Sequence, residues 1–292
     1  MTGLFVDMLG AGRVLIADGG MGTLLLERGL KRGQCPELLN VEQAQLIADI
    51  HRQYVDAGAD IILTNTFGGT APRLENFGLS DRVRELNAAG AAIAREAAAA
   101  AGRPVAVAGS MGPIGEMFAP FGPLDPKRAI EAFGEQAGAL AEAGVDALWI
   151  ETMSSLDELD AAFTAAAGTG LPTVAMMSFD THGRTMMGVG PSQLGEWAGR
   201  QTEAPAAIGA NCGVGPSDVV AAVEAMAATG IATVAKANCG LPRLIDGVVR
   251  YPLQPTDMPE YTAAALAAGA RIVGACCGST PAHVASIRGA AV

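Results

Sequence analysis

Residues 143–151, Ala-Gly-Val-Asp-Ala-Leu-Trp-Ile-Glu, hold the pattern that decides the fold. The stretch follows an alanine-rich segment with spaced charges, residues 127–143, and continues as an apolar run that ends in a carboxylate. Glycine just past a helix permits the left-handed conformation of a C-cap. An apolar run without alternation is typical of a strand covered on both faces. The stretch therefore predicts a helix end, a glycine joint and a buried strand, in that order.

The same joint recurs at residues 57–60, Ala-Gly-Ala-Asp, and at residues 268–271, Ala-Gly-Ala-Arg. Eight short apolar runs predict strands, at residues 14–17, 60–66, 104–109, 146–151, 173–178, 206–210, 231–237 and 270–274. Helix-like stretches lie between them, at residues 41–57, 82–100, 127–143, 156–167, 217–228, 259–268 and 281–288. Eight strand–helix units with short joints predict an α/β fold, a single (β/α)8 TIM barrel. A doubly wound parallel sheet is the alternative.

The length of the chain agrees with a single barrel. At about 150 residues per domain, 292 residues could form two domains, but single barrels commonly reach about 250. We therefore expect residues 1–292 to form one barrel domain. The nearest candidate for a linker, residues 240–256 with three prolines, is predicted to be an extended loop after the seventh strand.

Composition narrows the possible partners and the compartment. The formal net charge is −11, which disfavours binding to nucleic acid or to anionic membranes. The uncharged run at 161–179 is interrupted by Gly168, Gly170 and Pro172, so it predicts a helix, a loop and a strand rather than a membrane span. The first ten residues lack the pattern of a secretory signal. We expect a cytoplasmic protein with reduced thiols.

Cysteine gives the sharpest functional signal. Cys212, Cys239, Cys276 and Cys277 follow the sixth, seventh and eighth predicted strands, at the barrel end where active sites form. Cys212, Cys276 and Cys277 together make a three-sulfur set that suits zinc with one position left open for substrate. Two other interpretations remain, small buried hydrophobic residues or a redox dithiol, although there is no Cys-x-x-Cys spacing. Cys239 and Cys35 have no assigned role.

Polar residues also follow the predicted strands. Glu151 either faces a site or pairs with a neighbouring loop, and Asp18 either binds an amino group or caps the next turn. Gly19, Gly20 and Gly22 allow a ligand carboxylate to approach the backbone, and a tight turn would explain them equally well. Their spacing is not that of a dinucleotide-binding loop.

These motifs resemble the zinc-dependent homocysteine S-methyltransferases. That family includes betaine–homocysteine methyltransferase, S-methylmethionine-dependent enzymes and the homocysteine-binding module of cobalamin-dependent methionine synthase. The resemblance runs from residues 18–23, Asp-Gly-Gly-Met-Gly-Thr, to residues 276–281, Cys-Cys-Gly-Ser-Thr-Pro, and is most specific at 211–212 and 274–278. It implies that Zn2+ is bound by Cys212, Cys276 and Cys277. It places the substrate at Asp18, Gly19, Thr64, Glu151 and Asn238.

The resemblance implies transfer of a methyl group to the homocysteine thiolate, which forms methionine. The donor stays open between a methyl-corrinoid partner protein, a betaine-type onium compound and S-methylmethionine. Gly68 and Thr152 stand where betaine users carry tyrosines, and only 4% of the residues are aromatic.

Residues 178–185 and 238–242 are closer to the methionine synthase module. We expect no cobalamin domain within 292 residues, so a corrinoid carrier would be a separate protein. One alternative is a homocysteine- and zinc-binding module that is inactive alone and acts within a split methionine synthase assembly. A metal-free barrel enzyme with buried cysteines is another.

Overall fold

The computed structural model describes residues 3–31, 33–245 and 248–291. Eight parallel strands form one sheet: β1 (Leu15–Ile16), β2 (Ile61–Leu63), β3 (Ala106–Met111), β4 (Ala147–Met153), β5 (Thr173–Met177), β6 (Ala207–Cys212), β7 (Ala232–Ala237) and β8 (Ala270–Ala275). Each strand pairs with its neighbour in the chain, and β8 pairs with β1. A parallel bridge between Ala17 and Ile61 joins β1 to β2 and completes the circuit. The predicted single (β/α)8 barrel is confirmed, and the doubly wound sheet is wrong.

Helices surround the strands: α1 (Leu4–Gly10), α2 (Met21–Glu27), α3 (Leu39–Glu42), α4 (Ala44–Asp56), α5 (Ala71–Glu75), α6 (Val83–Ala99), α7 (Pro126–Glu142), α8 (Leu156–Ala167), α9 (Pro191–Arg200), α10 (Pro216–Met226), α11 (Met258–Ala267) and α12 (Pro281–Ala290). Single 3-10 turns occur at Ser80–Arg82, Ala227–Thr229 and Pro255–Asp257. Among the described helices, none combines the length and apolar character that a membrane crossing requires.

Several parts of the fold differ from the sequence prediction, and the short helices α1, α2 and α5 were not predicted. Helix α9 was not predicted, because glycines 195 and 199 weaken its helical pattern; Pro191 opens it at a position that needs no amide donor. The segment 240–256, predicted as an extended loop, contains an antiparallel hairpin of Arg243–Ile245 and Val248–Arg250. Both of its strands are only three residues long, which is too short for a periodic signal.

The glycine joints have the backbone conformation that the sequence predicts. Gly58, Gly144 and Gly269 have φ angles of 97°, 82° and 98°, in the left-handed region where a side chain would be strained. Each joint ends a helix and starts β2, β4 or β8 within three residues. These short connections fix the spacing between the helical layer and the barrel.

The core has two layers, as a barrel requires. Apolar side chains from alternate strand positions, among them Trp149, Val174 and Ile272, fill the barrel interior. Phe5 and Met8 of α1 join this interior cluster. A larger cluster packs the outer strand faces against the helices. Because the interior is filled with side chains, a ligand has room only at the ends of the barrel.

Asp60, at the start of β2, ties the chain ends to the barrel. Its carboxylate, with a side chain 3% exposed, accepts hydrogen bonds from Arg13 at 3.1 Å and from the Ile16 amide at 2.9 Å. Arg288 of α12 lies 2.6 Å away and Arg103 lies 3.7 Å away. The carboxylate therefore offsets part of the repulsion among three guanidinium groups.

We expect Asp60→Ala to lower the free energy of unfolding by about 3 kcal/mol, because three partly exposed guanidinium groups lose their shared partner and the buried Ile16 amide loses an acceptor. At roughly 2–4 °C per kcal/mol, the melting temperature should fall by about 10 °C in a circular dichroism melt. Glu142→Gln is the matched control, since the ion pair of Glu142 with Arg84 is exposed on both sides. That change should stay within about 0.5 kcal/mol. Equal effects of the two substitutions would contradict the role given to Asp60.

Candidate functional site

A cavity of about 250 Å³ opens among the carboxyl ends of the strands. Polar and sulfur-bearing side chains from the β1, β2, β3, β4, β6, β7 and β8 ends line it, namely Asp18, Thr64, Ser110, Glu151, Cys212, Lys236, Cys276 and Cys277. Because parallel barrel strands all end on one face, residues far apart in sequence meet there. The structure thus brings together six residues that were predicted at separate strand ends, namely Asp18, Thr64, Glu151, Cys212, Cys276 and Cys277.

Three thiols form a tight cluster on one side of the cavity. The Cys212 Sγ lies 3.4 Å from the Cys276 Sγ and 3.8 Å from the Cys277 Sγ, and all three sulfurs lie within 4.8 Å of one another. A disulfide would need about 2.05 Å, so the thiols are free. Three sulfurs bound tetrahedrally at about 2.3 Å stand roughly 3.8 Å apart. The spacing and the soft donor set therefore fit a metal such as zinc.

Mutual hydrogen bonding favours a thiolate within this cluster. Hydrogen bonds from Cys212 and Cys276 lower the pKa of Cys277 to about 4. Hydrogen bonding to Cys276 and Cys277 raises the pKa of Cys212. The thiolate is the form of cysteine that binds metal. The cluster therefore offers one thiolate, at Cys277, while the pKa values of Cys212 and Cys276 are raised.

The backbone at the end of β6 is held in an uncommon conformation. Cys212 and Thr152 both have positive φ angles, 59° and 63°. The Asn211 side chain braces them, because its oxygen accepts from the Thr152 amide at 2.8 Å and its amide donates to the Thr152 hydroxyl at 2.7 Å. Strained positions of this kind persist where the surroundings fix them, often at functional sites. These two hydrogen bonds join the end of β6, where Cys212 lies, to the end of β4.

Asn238 connects two loops that carry the thiols. Its oxygen accepts from the Cys277 amide at 2.9 Å, and its amide group donates to the Gly213 carbonyl at 2.9 Å. The oxygen and the nitrogen of the Asn238 carboxamide therefore both bond to backbone atoms, one at Cys277 and one at the residue after Cys212. This contact pattern positions the cluster.

Two carboxylates and a lysine also line the cavity. The Asp18 Oδ1 accepts from the Lys236 Nζ at 2.8 Å and its Oδ2 accepts from the Leu63 amide at 2.7 Å. The Glu151 Oε1 accepts from the Ser110 hydroxyl at 2.6 Å. The Thr64 hydroxyl bonds to Thr66 at 2.6 Å and accepts from the Ser110 amide. Ser110 therefore links β2 to β4.

Burial shifts the ionisation of these groups. It raises the pKa of Glu151 to about 7, against the opposing influence of the Lys236 charge. It also raises the pKa of Asp18. Burial alone would lower the pKa of Lys236, but the negative charges of Asp18 and Glu151 raise it. The three groups form one buried charge network, and such networks are typical of functional sites.

Sequence reasoning missed Lys236 and Ser110. Lys236 lies near the carboxyl end of the otherwise apolar run 231–237. A charged residue in a buried strand is uncommon, and this signal could have revealed it. Ser110 gave no such signal, since a single serine after an apolar run is common in loops. Gly19, predicted for the substrate, lines the cavity.

Fold and site together define a (β/α)8 barrel that carries a three-thiol cluster and a buried charge network at its carboxyl face. The sequence matches the model of the homocysteine S-methyltransferase family over residues 15–291. The chain therefore belongs to the homocysteine S-methyltransferase family, as the resemblance in its motifs indicates.

Two relatives are similar in sequence, and one solved structure shares the fold. The chain is 34% identical over 300 residues to methionine synthase of Mycobacterium tuberculosis (strain ATCC 25618 / H37Rv), which aligns with 95% of this chain and 24% of its own length. Methionine synthase of Mycobacterium leprae (strain TN) is 33% identical, over 96% of this chain and 24% of its own length. The chain thus spans about a quarter of these relatives. The metallated form of the Escherichia coli homocysteine methyltransferase MmuM shares the fold, with a TM-score of 0.81, 23% identity, and coverage of 98% of this chain and 99% of that chain.

Proposed function

We propose that this barrel transfers a methyl group to the sulfur of homocysteine and releases methionine. The observation that carries the proposal is the three-thiol cluster placed beside a buried charge network in one cavity. A metal at the thiols and an amino acid held by the charged groups would bring the substrate sulfur to the metal. Membership of the homocysteine S-methyltransferase family supports the same conclusion.

The proposed cofactor is Zn2+, bound by Cys212, Cys276 and Cys277. When bound, zinc lowers the pKa of a substrate thiol so that it reacts as a thiolate. Asn238 holds the backbone at Cys277 and at Gly213, next to Cys212, and the filled barrel interior keeps water away from the cavity floor.

Substrate contacts are proposed at Asp18, Gly19, Thr64 and Glu151, with Asn238 acting from beside the thiols. The charged groups hold the amino-acid end of homocysteine and so direct its sulfur toward the donor. In the transfer a new S–CH3 bond forms as the bond from the donor to the methyl carbon breaks, and that electron pair leaves with the donor. The thiol proton is released to solvent.

The lining of the cavity informs the choice of donor. Phe67 is the sole aromatic side chain among the described residues that line it. A quaternary ammonium donor such as betaine is recognised best by several aromatic faces. The lining therefore supports a methyl-corrinoid partner protein ahead of betaine.

A second candidate follows from the coverage of the relatives. Because the chain spans only 24% of the two mycobacterial methionine synthases, the same barrel could be a homocysteine-binding module that needs a corrinoid-carrying partner. On either proposal residues 1–292 act as one homocysteine-binding barrel domain. Three free thiols that must stay reduced agree with a cytoplasmic location.

A donor screen tests both candidates. The zinc-loaded chain is incubated with homocysteine and, separately, with betaine, S-methylmethionine, free methylcobalamin and a methylated corrinoid protein, and methionine is measured by mass spectrometry. We expect methionine from at least one donor and none from the metal-stripped chain. Turnover with a free small molecule would identify a complete enzyme, and turnover with the corrinoid protein alone would identify a module. Failure with every donor would contradict the proposed function.

A further inference from the structure

The charge of the cavity constrains what can bind there. Asp18, Glu37 and Glu151 are acidic, and Lys236 is the one basic side chain among the described residues that line the cavity. Buried like charges repel a ligand anion strongly, because little solvent screens them. A thiol that carries a carboxylate would therefore meet three acidic groups and a single cation.

The Lys236 ammonium group has more N–H donors than acceptors among the described residues. It is 2% exposed, and its ammonium lies 2.8 Å from the Asp18 Oδ1 and 5.8 Å from the centre of the Trp149 ring. An ammonium group has three N–H donors, and within the described part of the chain Asp18 is its one hydrogen-bond acceptor. Buried donors are almost always matched by acceptors. Two donors are thus left at a wall of the cavity.

The carboxylates of Asp18 and Glu151 accept different numbers of hydrogen bonds from the protein. Both oxygens of Asp18 accept hydrogen bonds from the protein itself, from Lys236 and from the Leu63 amide. Glu151 accepts through its Oε1, from Ser110, and among the described residues nothing donates to its Oε2. Glu151 is therefore better placed than Asp18 to receive a substrate ammonium group.

We propose that Lys236 binds the carboxylate of the acceptor thiol and so selects a zwitterionic amino acid over thiols without a carboxylate. Asp18 is then a positioning residue, which holds the Lys236 ammonium at the cavity wall. The ammonium of the substrate goes to Glu151. This assignment rests on the proposed function, since it takes homocysteine as the acceptor. It replaces the direct substrate contact proposed above for Asp18 with an indirect role.

The test compares three thiols on the wild type and on Lys236→Met, both loaded with zinc. Homocysteine carries both charged groups, mercaptobutanoate lacks only the amino group, and aminopropanethiol lacks only the carboxylate. For Lys236→Met we expect KM to rise about tenfold or more for homocysteine and mercaptobutanoate, the two thiols that carry a carboxylate, because a charge-assisted hydrogen bond is lost. The kcat for these thiols should change little. For aminopropanethiol KM should change less than about twofold. Equal losses on all three thiols would overturn the proposal.

Asp18→Asn separates positioning from direct contact. If Asp18 acts through Lys236, this variant shows the same pattern as Lys236→Met. The rise in KM for homocysteine and mercaptobutanoate is then smaller than in Lys236→Met. A larger effect on aminopropanethiol than on mercaptobutanoate would place the substrate ammonium on Asp18 and overturn the positioning role. Lys236→Arg retains a cation and should recover part of the preference for homocysteine.

The single variant Lys236→Met leaves the Asp18 carboxylate buried without a cation, and this lowers the free energy of unfolding. The double variant Asp18→Asn with Lys236→Met removes both charges and keeps the side-chain shapes. We expect it to fold, as judged by its melting curve, and to have lost the preference for carboxylate thiols. A folded double variant with the wild-type preference would overturn the proposal.

Calorimetric binding of the three thiols to the zinc-loaded chain gives the same comparison without any methyl donor. This separates the two proposals. A wild type that binds homocysteine in preference to aminopropanethiol but yields no methionine contradicts the proposed function alone. An active wild type whose preference survives Lys236→Met contradicts the role of Lys236 alone. Absence of homocysteine binding to the wild type contradicts both.

Discussion

Replacing Cys276 with serine should abolish metal binding and reduce methyl transfer by about a thousandfold or more. A serine hydroxyl stays protonated where the cysteine would be a thiolate, so one of the three soft ligands is lost. Loss of a residue that only supports a metal ligand typically lowers metal affinity or activity by about 10–100-fold. Loss of the ligand itself should lower them further. Zinc content after dialysis, by elemental analysis, and methionine formation measure the two effects.

Cys239→Ala is the matched control for this substitution. Cys239 is 1% exposed and its amide donates to the Cys277 carbonyl at 2.9 Å, but its sulfur lies outside the three-thiol cluster. We expect this variant to keep stoichiometric zinc and most of the activity. A Cys276→Ser variant that retains both metal and activity would show that the cluster is a set of buried thiols.

Replacing Glu151 with glutamine should weaken homocysteine binding by about a hundredfold. The amide keeps the shape and the hydrogen bond from Ser110, but it removes the charge that would pair with the substrate ammonium inside a buried site. Because each tenfold change corresponds to about 1.4 kcal/mol, this is the loss of roughly 3 kcal/mol. The measurement is KM for homocysteine at saturating donor.

The same variant should change the pH profile. Burial raises the pKa of Glu151 to about 7, so the carboxyl group is protonated below that pH and ionised above it. In the wild type KM for homocysteine should therefore fall as the pH rises through about 7, and Glu151→Gln should lack this transition. Since a carboxyl whose folded-state pKa is raised stabilises the fold only at low pH, Glu151→Gln should not lower the melting temperature at about pH 8.

Glu158→Gln serves as the control for Glu151→Gln. Glu158 is another buried carboxylate, 6% exposed, which accepts from the Ile114 amide at 2.8 Å and does not line the cavity. It should leave KM and its pH dependence unchanged. If both glutamine variants shift KM alike, the effect of Glu151 is structural and the proposed contact with the substrate is wrong.

The sequence alone determined the barrel and most of its strands. Residues 143–151 show why, since a glycine joint followed by an apolar run is a local signal that needs no knowledge of distant residues. The cysteines could be grouped for a similar reason. Once the strands are assigned, barrel topology places Cys212, Cys276 and Cys277 on one face, and the structure brings their sulfurs within 4.8 Å.

Only the tertiary structure decided how the charged residues pair. Lys236 and Asp18 are 218 positions apart and meet because β7 and β1 flank β8 on its two sides in the barrel sheet. The brace between Asn211 and Thr152 likewise spans 59 positions. Such contacts depend on strand register and on side-chain direction across a closed sheet, which no local pattern encodes. The sequence thus located the site, and the fold determined which of its charges are paired and which remain available to a ligand.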